Sequence, residues 1–563
     1  MNKKLKIAIP TIAAGITMIA AMGFSRGDKH NFEAAKNLDL FNSVYKELDL
    51  FYVDTINPEK VIRFGIDAML SQTDPYTEFY PEDDKTIKEM TSGKFGGIGS
   101  FIRYYKRRDR IAILEPTQDS PAAKAGLMAG DIIMSVGGKD MSRGDLQPHE
   151  LSSKVSKALR GEPGTTCLVT VERPVGEDKY TTKTFKIKRE NIKTQPVPYY
   201  NIIGRNTGYI DMTTFAVENC SRKVKDAIID LKRRGAGSII LDLRNNGGGL
   251  LSEAVKVTNL FIPRGKKIVE TRGKTKSVDN TYITEEQPLD TIIPTAVLVN
   301  GGTASASEIV SGSLQDFDRA VIIGNRTFGK GLVQTVRPLP YNCSMKVTTS
   351  KYYIPSGRCI QALDYSRRNP DGTTVRVPDS LTNIFHTAAG REVRDGGGIR
   401  PDIEIEPQKL PNIMFYLINE DIIFDFGTLY KIKHPEPKPL EEFQITNQDY
   451  ADFKAFVKKQ KFTYDRQSDK ILNSLKEVAE FEGYMDNAKE EFAALEKKLE
   501  HNLDHDLDYF EKDIRQAIAI DIVKRYYYQK GAIYIQLKDD PELKKAEETL
   551  QNDSIYNNLL RKK

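Results

Sequence analysis

Residues 300–316 read N-G-G-T-A-S-A-S-E-I-V-S-G-S-L-Q-D, small residues leading into an apolar run, with Ser305 three positions before Glu308. That spacing is the S-x-x-E capping box, in which a serine closes a helix N-terminus. The same place suits a nucleophile, because free backbone N–H groups at a helix start stabilise an oxyanion and small neighbours let a substrate approach. The local pattern is compatible with both. A nucleophilic serine needs a base, and of the six histidines (His30, His149, His386, His434, His501, His505) only His386 lies in the region of strands and helices that carries Ser305. A lysine held neutral by burial is the alternative, since desolvation lowers its pKa and frees its lone pair. Lys330 stands between Gly329 and Gly331, with Phe328, Leu332 and Val333 around it. A lysine in a glycine turn is also an ordinary solvated side chain.

The run G-N-R-T-F-G-K, residues 324–330, fits the G-x-x-x-x-G-K phosphate loop and follows the strand-like A-V-I-I-G. Gly331 comes next, with no hydroxyl for Mg²⁺, and L-V-Q-T-V-R-P-L reads as strand where phosphate would need a helix N-terminus. Nucleotide binding is therefore disfavoured. A third stretch, S-I-I-L-D-L-R-N-N-G-G-G-L-L from Ser238 to Leu251, runs from an apolar strand through Gly247–Gly249 into an amphipathic helix. Those glycines make a tight turn. In a hydrolase such a turn aims a backbone N–H at a developing oxyanion, with the N–H of Ala306 as second donor.

Positioning these pieces takes more than one core, and 563 residues imply two to four domains. Lys and Arg number 83 against 78 Asp and Glu, a net charge of +5, and basic runs are as short as K-R-R at 106–108, so nothing points to nucleic acid. Cys167, Cys220, Cys343 and Cys359 lack metal-ligand spacing. Free thiols are expected, although an oxidising compartment would permit a disulfide within the later pair. Residues 1–26 carry three lysines and then the apolar run Ile7–Phe24, an export signal intermediate in length between a cleaved leader and a spanning anchor. The expected location is outside the cytoplasm, periplasmic or anchored to the inner membrane.

Residues 32–92 have helical periodicity, with Leu38, Leu40, Phe41, Val44, Leu48 and then Val61, Phe64, Ile66, Met69, Leu70 spaced as core-facing stripes. Residues 93–191 turn to short strand-like runs separated by glycine, with one amphipathic helix, H-E-L-S-S-K-V-S-K-A-L. From 192 to 407 strands alternate with helices, which implies a sheet layered with helices. Residues 408–563 are charge-rich and helical, and the stretch from Ile471 to Leu503 fits a helix pair or short coiled coil, most simply a solvated appendage.

Taken in order, D-P-Y-T-E-F-Y-P-E, G-G-I-G-S-F-I, D-S-P-A-A-K-A-G-L-M-A-G-D-I-I-M-S-V-G-G, L-R-G-E-P-G-T-T, I-L-D-L-R-N-N-G-G-G-L-L, N-G-G-T-A-S-A-S-E, N-R-T-F-G-K-G-L-V-Q-T, Y-Y-I-P-S-G-R-C-I-Q and G-G-G-I-R-P-D-I-E-I resemble the carboxyl-terminal processing peptidases, or tail-specific proteases, over residues 35–407. The resemblance implies a mixed α/β multidomain fold: a layered, crotonase-like protease core, an inserted PDZ domain, and helical N- and C-terminal regions. It implies a Ser/Lys endopeptidase without metal or cofactor, with Ser305 as nucleophile rather than Ser307 and Lys330 as general base. Gln334 corresponds to the residue that holds the lysine and Asp316 to an acidic residue supporting the site. Ala306 and Gly248 or Gly249 correspond to the oxyanion donors. Gly96, Gly97, Ile98 and Gly99 match the loop that receives a peptide's terminal carboxylate, Phe101 and Ile102 continue into the strand that a peptide augments, and Leu151, Val155 and Leu159 complete the groove. Arg160 is a candidate contact between PDZ and protease core, or a helix-end charge. Substrates would be proteins with apolar C-terminal tails. Two departures, Ser100–Phe101 in the loop and Cys359 after P-S-G-R, bear on peptide preference and on an unassigned position. Residues 408–563 match no motif of the resemblance and are open to a role as dimer contact, adaptor platform or substrate-guiding wall. The rival reading is a scaffold that keeps the protease fold and binds tails without cutting.

Overall fold

The structure, a computed structural model, describes residues 28–82, 94–369, 373–499 and 502–561. The expected export signal lies outside them. Among the described residues no helix is long and apolar enough to cross a membrane. The chain divides into two units, residues 1–82 with 336–347, and residues 83–335 with 348–563.

The smaller unit holds helices α1 (Asp28–Phe51) and α2 (Pro58–Ser71) and strand β1 (Glu78–Tyr80). Asn57 caps α2 by accepting the Lys60 N–H at 3.0 Å, and Pro58 occupies the first turn, where no N–H is missed. Asp74 folds the D-P-Y-T turn by accepting the N–H groups of Tyr76 and Thr77 at 2.8 and 2.9 Å. The periodicity makes the helices as expected, yet the stripes are not core. Leu38, Phe41, Val44, Phe64 and Met69 are exposed and only Leu70 is buried. Among the described residues of this unit, two helices and the short pairing of β1 with Ser344–Lys346 provide no second layer to cover both helix faces.

Residues 94–193 form the β-rich domain. Strand β2 (Lys94–Gly97) leads into β3 (Ser100–Tyr105), β4 (Arg110–Pro116), a short α3 (Pro121–Ala125), β5 (Ile132–Val136), β6 (Lys139–Asp140), α4 (Pro148–Leu159), β7 (Thr166–Gly176), β8 (Lys179–Lys188) and β9 (Glu190–Lys193). The antiparallel sheet runs β3-β4-β5-β7-β8, with β6 on β5, while β2 pairs with β9. Alternation sets its faces. Cys167, Val169 and Val171 of β7 are buried with Leu151, Val155 and Leu159 of α4, whereas Leu168 between them is exposed.

The layered α/β core begins with β10 (Tyr199–Ile203), β11 (Thr207–Asp211), α5 (Cys220–Arg233), β12 (Ser238–Asp242), α6 (Leu251–Asn259), β13 (Lys267–Gly273), β14 (Asn280–Ile283), β15 (Thr295–Val299), α7 (Ala306–Asp316), β16 (Val321–Gly324), β17 (Leu332–Pro338) and β18 (Ser344–Tyr353). Two hairpins follow, β19 (Leu363–Arg368) with β20 (Thr374–Arg376) and β21 (Ile384–His386) with β22 (Glu392–Arg394), then β23 (Ile403–Glu404). The main sheet is ordered β10-β11-β12-β15-β16-β23, and every pairing except the antiparallel β10–β11 is parallel. Strands S-I-I-L-D, T-A-V-L-V and V-I-I-G are buried at every residue, as a parallel sheet covered on both faces requires. One cover is α5, α6 and α7, through residues such as Ile228, Val257 and Val310.

The other cover comes from the far end of the chain. The C-terminal region comprises α8 (Asn412–Asn419), α9 (Ile422–Lys433), α10 (Asn447–Lys459), α11 (Gln467–Phe481), α12 (Met485–Lys498), α13 (Leu503–Tyr509), α14 (Glu511–Leu537), α15 (Pro541–Leu550) and α16 (Asp553–Leu559). Leu543, Ala546, Leu550 and Tyr556 pack on Tyr209, Ile240, Leu298, Val321 and Ile323, the sheet face opposite α5–α7. Helices α8–α10 and α14 have a core of their own around Leu417, Phe426, Phe453 and Ile522. They also cover the outer face of the β3–β8 sheet, where Phe424 packs with Tyr105, Ala112 and Ile132. Basic side chains there find acidic partners: Lys106 meets Glu420 at 2.7 Å, Arg103 meets Asp421 at 2.5 Å and Arg107 meets Asp425 at 2.5 Å. Among the described residues of this region the α11–α12 helix pair fits a solvated appendage, with Leu472 and Ala479 as its buried residues. All four cysteines are free thiols.

Candidate active site

Ser305 caps α7 from a turn that leaves β15, with φ 57° and ψ −116°. A positive φ is costly for serine and persists only where the surroundings enforce it. The enforcement is visible on both sides. The Thr303 hydroxyl donates to the Leu243 carbonyl at 2.8 Å, and the Tyr352 hydroxyl donates to the Ser305 carbonyl at 3.2 Å. Ser305 is half-buried. Ser307 is fully buried and its hydroxyl donates to the Asn246 carbonyl at 2.9 Å, so its proton and position are committed to the scaffold.

Glu308 organises the turn. It is wholly buried, and each carboxylate oxygen accepts two hydrogen bonds. Oε1 takes the Thr327 hydroxyl at 2.5 Å and the Gly329 N–H at 2.7 Å; Oε2 takes the Ser305 N–H at 2.8 Å and the Lys330 N–H at 2.9 Å. The Thr327 oxygen itself accepts the Ile399 N–H at 2.6 Å, so its single proton points to Glu308. Burial pushes the Glu308 pKa up, and these four donors pull it back. Four donors and no acceptor suit the ionised form. The sequence pointed to Glu308 only as half of a capping box; the available signal was a charged residue in a helix whose neighbours, A-S-A-S and I-V-S-G-S-L, are all small or apolar.

Lys330 is half-buried in the loop that joins β16 to β17. Gly329 has φ 87°, and a Cβ there would lie 2.4 Å from the Ala362 Cβ, so the loop needs glycine beside the lysine. The Gly331 N–H donates to Gln361 Oε1 at 2.7 Å. The segment after Lys330 is strand β17, not a helix, and therefore gives phosphate no helix N-terminus. Gln334, on β17, donates its amide to the Thr348 hydroxyl at 3.1 Å. His386 lies exposed on β21.

The glycine turn meets the Ser305 turn at Gly248. With φ 95°, it is so close that a Cβ would sit 2.7 Å from the Ala304 oxygen and 2.9 Å from both the Ala306 nitrogen and the Ser305 Cβ. Its own N–H is engaged by Asn246 Oδ1 at 3.0 Å. Gly249, φ 147°, is exposed and packs its backbone against Phe215 and Ala216. Ala306 is the first residue of α7, whose N–H has no intrahelical acceptor.

Asp316 is the eleventh and last residue of the same helix, roughly 15 Å from its start at 1.5 Å per residue. It does not pair with Arg319 on the surface. It is buried against Arg358, Oδ1 to Nη2 2.8 Å, and Oδ2 accepts the Ser356 N–H at 2.9 Å. The structure thus brings Ser305, Ala306, Gly248 and the Lys330 loop together, and puts Asp316 in a buried ion pair that anchors the helix.

In the β-rich domain Gly96 and Gly97 lie in β2, paired with Asn191 and Glu190. A Cβ on Gly96 would fall 2.0 Å from the Gly161 oxygen, a close approach only glycine permits. Ile98 is buried, and Gly99, φ 72°, turns the chain into β3. Phe101 is exposed, Ile102 packs on the domain core, and Leu151, Val155 and Leu159 are themselves core. Arg160 stacks over the Phe95 ring, 4.7 Å from its centroid.

Comparison with known proteins matches residues 206–365 to peptidase family S41, residues 113–173 to the PDZ domain family, and residues 413–550 to the family described as "Probable PDZ-protease, C-terminal helical domain". The carboxy-terminal-processing protease of Bartonella bacilliformis is 36% identical over 332 residues, 58% of this chain and 73% of its own. A "Probable CtpA-like serine protease" of Staphylococcus aureus is 33% identical over 397 residues, 68% of this chain and 69% of its own. Among solved structures, the photosystem II D1 C-terminal processing protease is 26% identical, covering 66% of this chain and 87% of that one with a TM-score of 0.35.

Proposed function

This chain belongs to peptidase family S41 with the carboxy-terminal-processing proteases, and from that membership we propose that it is an endopeptidase cutting exported proteins selected by their C-terminal tails, with Ser305 as nucleophile and Lys330 as base. It is a serine-type peptidase carrying a PDZ domain and a C-terminal helical domain. The observation that carries the dyad is the Glu308 carboxylate, one oxygen of which holds the backbone N–H groups of both Ser305 and Lys330. The apolar run Ile7–Phe24 supports export.

In this mechanism the neutral Lys330 amine takes the Ser305 proton as the serine oxygen attacks a peptide carbonyl. The Ala306 N–H, unpaired by its place at the helix start, supports the oxyanion, and Gly249 is the second donor because the Gly248 N–H is already spent on Asn246. The protonated lysine then gives its proton to the leaving amine, and water hydrolyses the acyl-enzyme. The Gly96–Gly99 backbone takes the tail's terminal carboxylate, and an apolar tail adds beside β3.

The test is cleavage of a loosely folded protein ending in an apolar tail, by the wild type and by Ser305→Ala, Lys330→Ala and Ser307→Ala. Loss in the first two and retention in the third is expected. Cleavage by Ser305→Ala, or binding of the tail without cleavage by the wild type, sinks the reading.

A further inference from the structure

Helix α15 starts at Pro541, capped by Asp540, whose Oδ1 accepts the Leu543 N–H at 3.0 Å. Its apolar face lies on the protease sheet, which brings the first-turn residue Glu542 against two loops at once. Oε2 of Glu542 lies 2.5 Å from Arg244 Nη1, and Oε1 accepts the Asn325 side-chain N–H at 3.1 Å. Arg244 opens R-N-N-G-G-G, the turn that carries Gly248 and Gly249; Asn325 opens N-R-T-F-G-K, the loop that carries Lys330. Arg244 is further held by Asp540, 2.6 Å from Nη2, and by Asp242 at the end of β12. The site is well shielded, with 17% of the Arg244 side chain and 13% of the Glu542 side chain exposed.

Each loop has a short path from this carboxylate to the reacting groups. Two residues after Arg244, Asn246 fixes the Gly248 N–H and, through its own carbonyl, the Ala304 N–H at 3.0 Å. Two residues after Asn325, the Thr327 hydroxyl reaches Glu308, which holds the Ser305 and Lys330 backbones. The two oxygens of one carboxylate therefore fix the separation of the two loops that must meet at the substrate.

We propose that Glu542 is a positioning residue for cleavage: the C-terminal helical domain supplies, from more than two hundred residues away in sequence, the brace that registers the glycine turn against the lysine loop. This deepens the Ser305/Lys330 reading and rests on it. Misplacement of reacting groups by an ångström costs up to about a hundredfold in rate, so the effect belongs in kcat rather than in tail binding.

The experiment compares Glu542→Ala, Glu542→Gln and, as a control on the same helix, Glu548→Ala in the full chain, reading steady-state cleavage, thermal midpoint and amide exchange. For Glu542→Ala, kcat is expected to fall about 10- to 100-fold with KM within about twofold of wild type. Exchange should accelerate in 244–249 and 325–331 while α15 stays protected, and Glu542→Gln, whose amide still accepts from Arg244, should recover most of the rate. Glu548→Ala should match wild type. An unchanged kcat, a Gln variant as impaired as Ala, or exchange that rises throughout α15 and the sheet in step with a falling midpoint overturns the proposal. If the wild type cuts nothing, the dyad reading fails, and the exchange pattern alone decides whether Glu542 braces the loops.

Discussion

The backbone N–H groups of Ser305 and Lys330 donate to the same oxygen, Oε2 of Glu308, at 2.8 and 2.9 Å. One buried carboxylate thus sets how far apart two residues 25 positions distant in the chain are held. Glu308→Gln should break the arrangement despite its matching shape, because an amide nitrogen put in place of either oxygen turns a donor against two donors. We expect activity to fall at least about a hundredfold and stability by about 1–3 kcal/mol for the groups left unpaired. Cleavage rate and urea unfolding of the variant check both numbers, and wild-type activity would show that the four hydrogen bonds are dispensable.

Gly248→Ala should inactivate without unfolding. The added Cβ meets the Ala304 oxygen, the Ala306 nitrogen and the Ser305 Cβ inside 3 Å, at a φ that alanine resists. The strain is local to the Ser305 turn. Near-native circular dichroism with cleavage lost is the expected pair of results; full activity would mean that the turn yields at little cost.

Asp316 and Arg358 form an ion pair with almost no solvent exposure, 0% and 1% for their side chains. Burial pushes the Asp316 pKa up and that of Arg358 down, and their mutual attraction opposes both. Asp316→Ala leaves an unpaired buried guanidinium and should cost about 3–5 kcal/mol, whereas Asp316→Leu combined with Arg358→Met should recover much of it. Because the pair stands at the far end of α7 from Ser305, the folded fraction of each variant should keep its kcat. A kcat loss larger than the loss of folded protein would give Asp316 a part in the chemistry.

Asp421 joins the helical domain to Arg103 of the PDZ sheet, and burial raises its pKa to about 6, with Arg103 pulling the other way. The sign follows from proton uptake. A carboxyl whose folded pKa lies above its unfolded value makes the folded state bind the proton more tightly, so its contribution to stability improves as pH falls from 7 towards 4. Asparagine tolerates the φ of 62° at this position. Asp421→Asn should therefore flatten the pH dependence across that window, with the gap in unfolding midpoint between variant and wild type narrowing at lower pH. A wild type more stable than Asp421→Asn at pH 7, losing that advantage as the pH falls, would mean that the ion pair outweighs the desolvation.

Much of the local chemistry is legible in the order of the residues. Glycine at Gly248 and Gly329, a serine before a helix, and strands apolar at every position follow from backbone sterics and burial, which act over a few residues, and they made the layered α/β core and its Ser305 and Lys330 loops legible. What it left open depends on partners distant in the chain. The stripe of Leu38, Phe41 and Val44 has helical spacing, but spacing does not say whether a layer exists to cover it, and here it is exposed. Asp316 had Arg319 three residues away and chose Arg358. The charge-rich segment after 408 gave no sign that its last helices would close the protease sheet, because Leu543, Ala546 and Leu550 read only as one amphipathic face. Glu308, a helix cap by spacing, became the shared acceptor of two loops only once the fold buried it and surrounded it with donors. Spacing fixes which way a side chain faces; what it meets there is decided by packing of the whole chain.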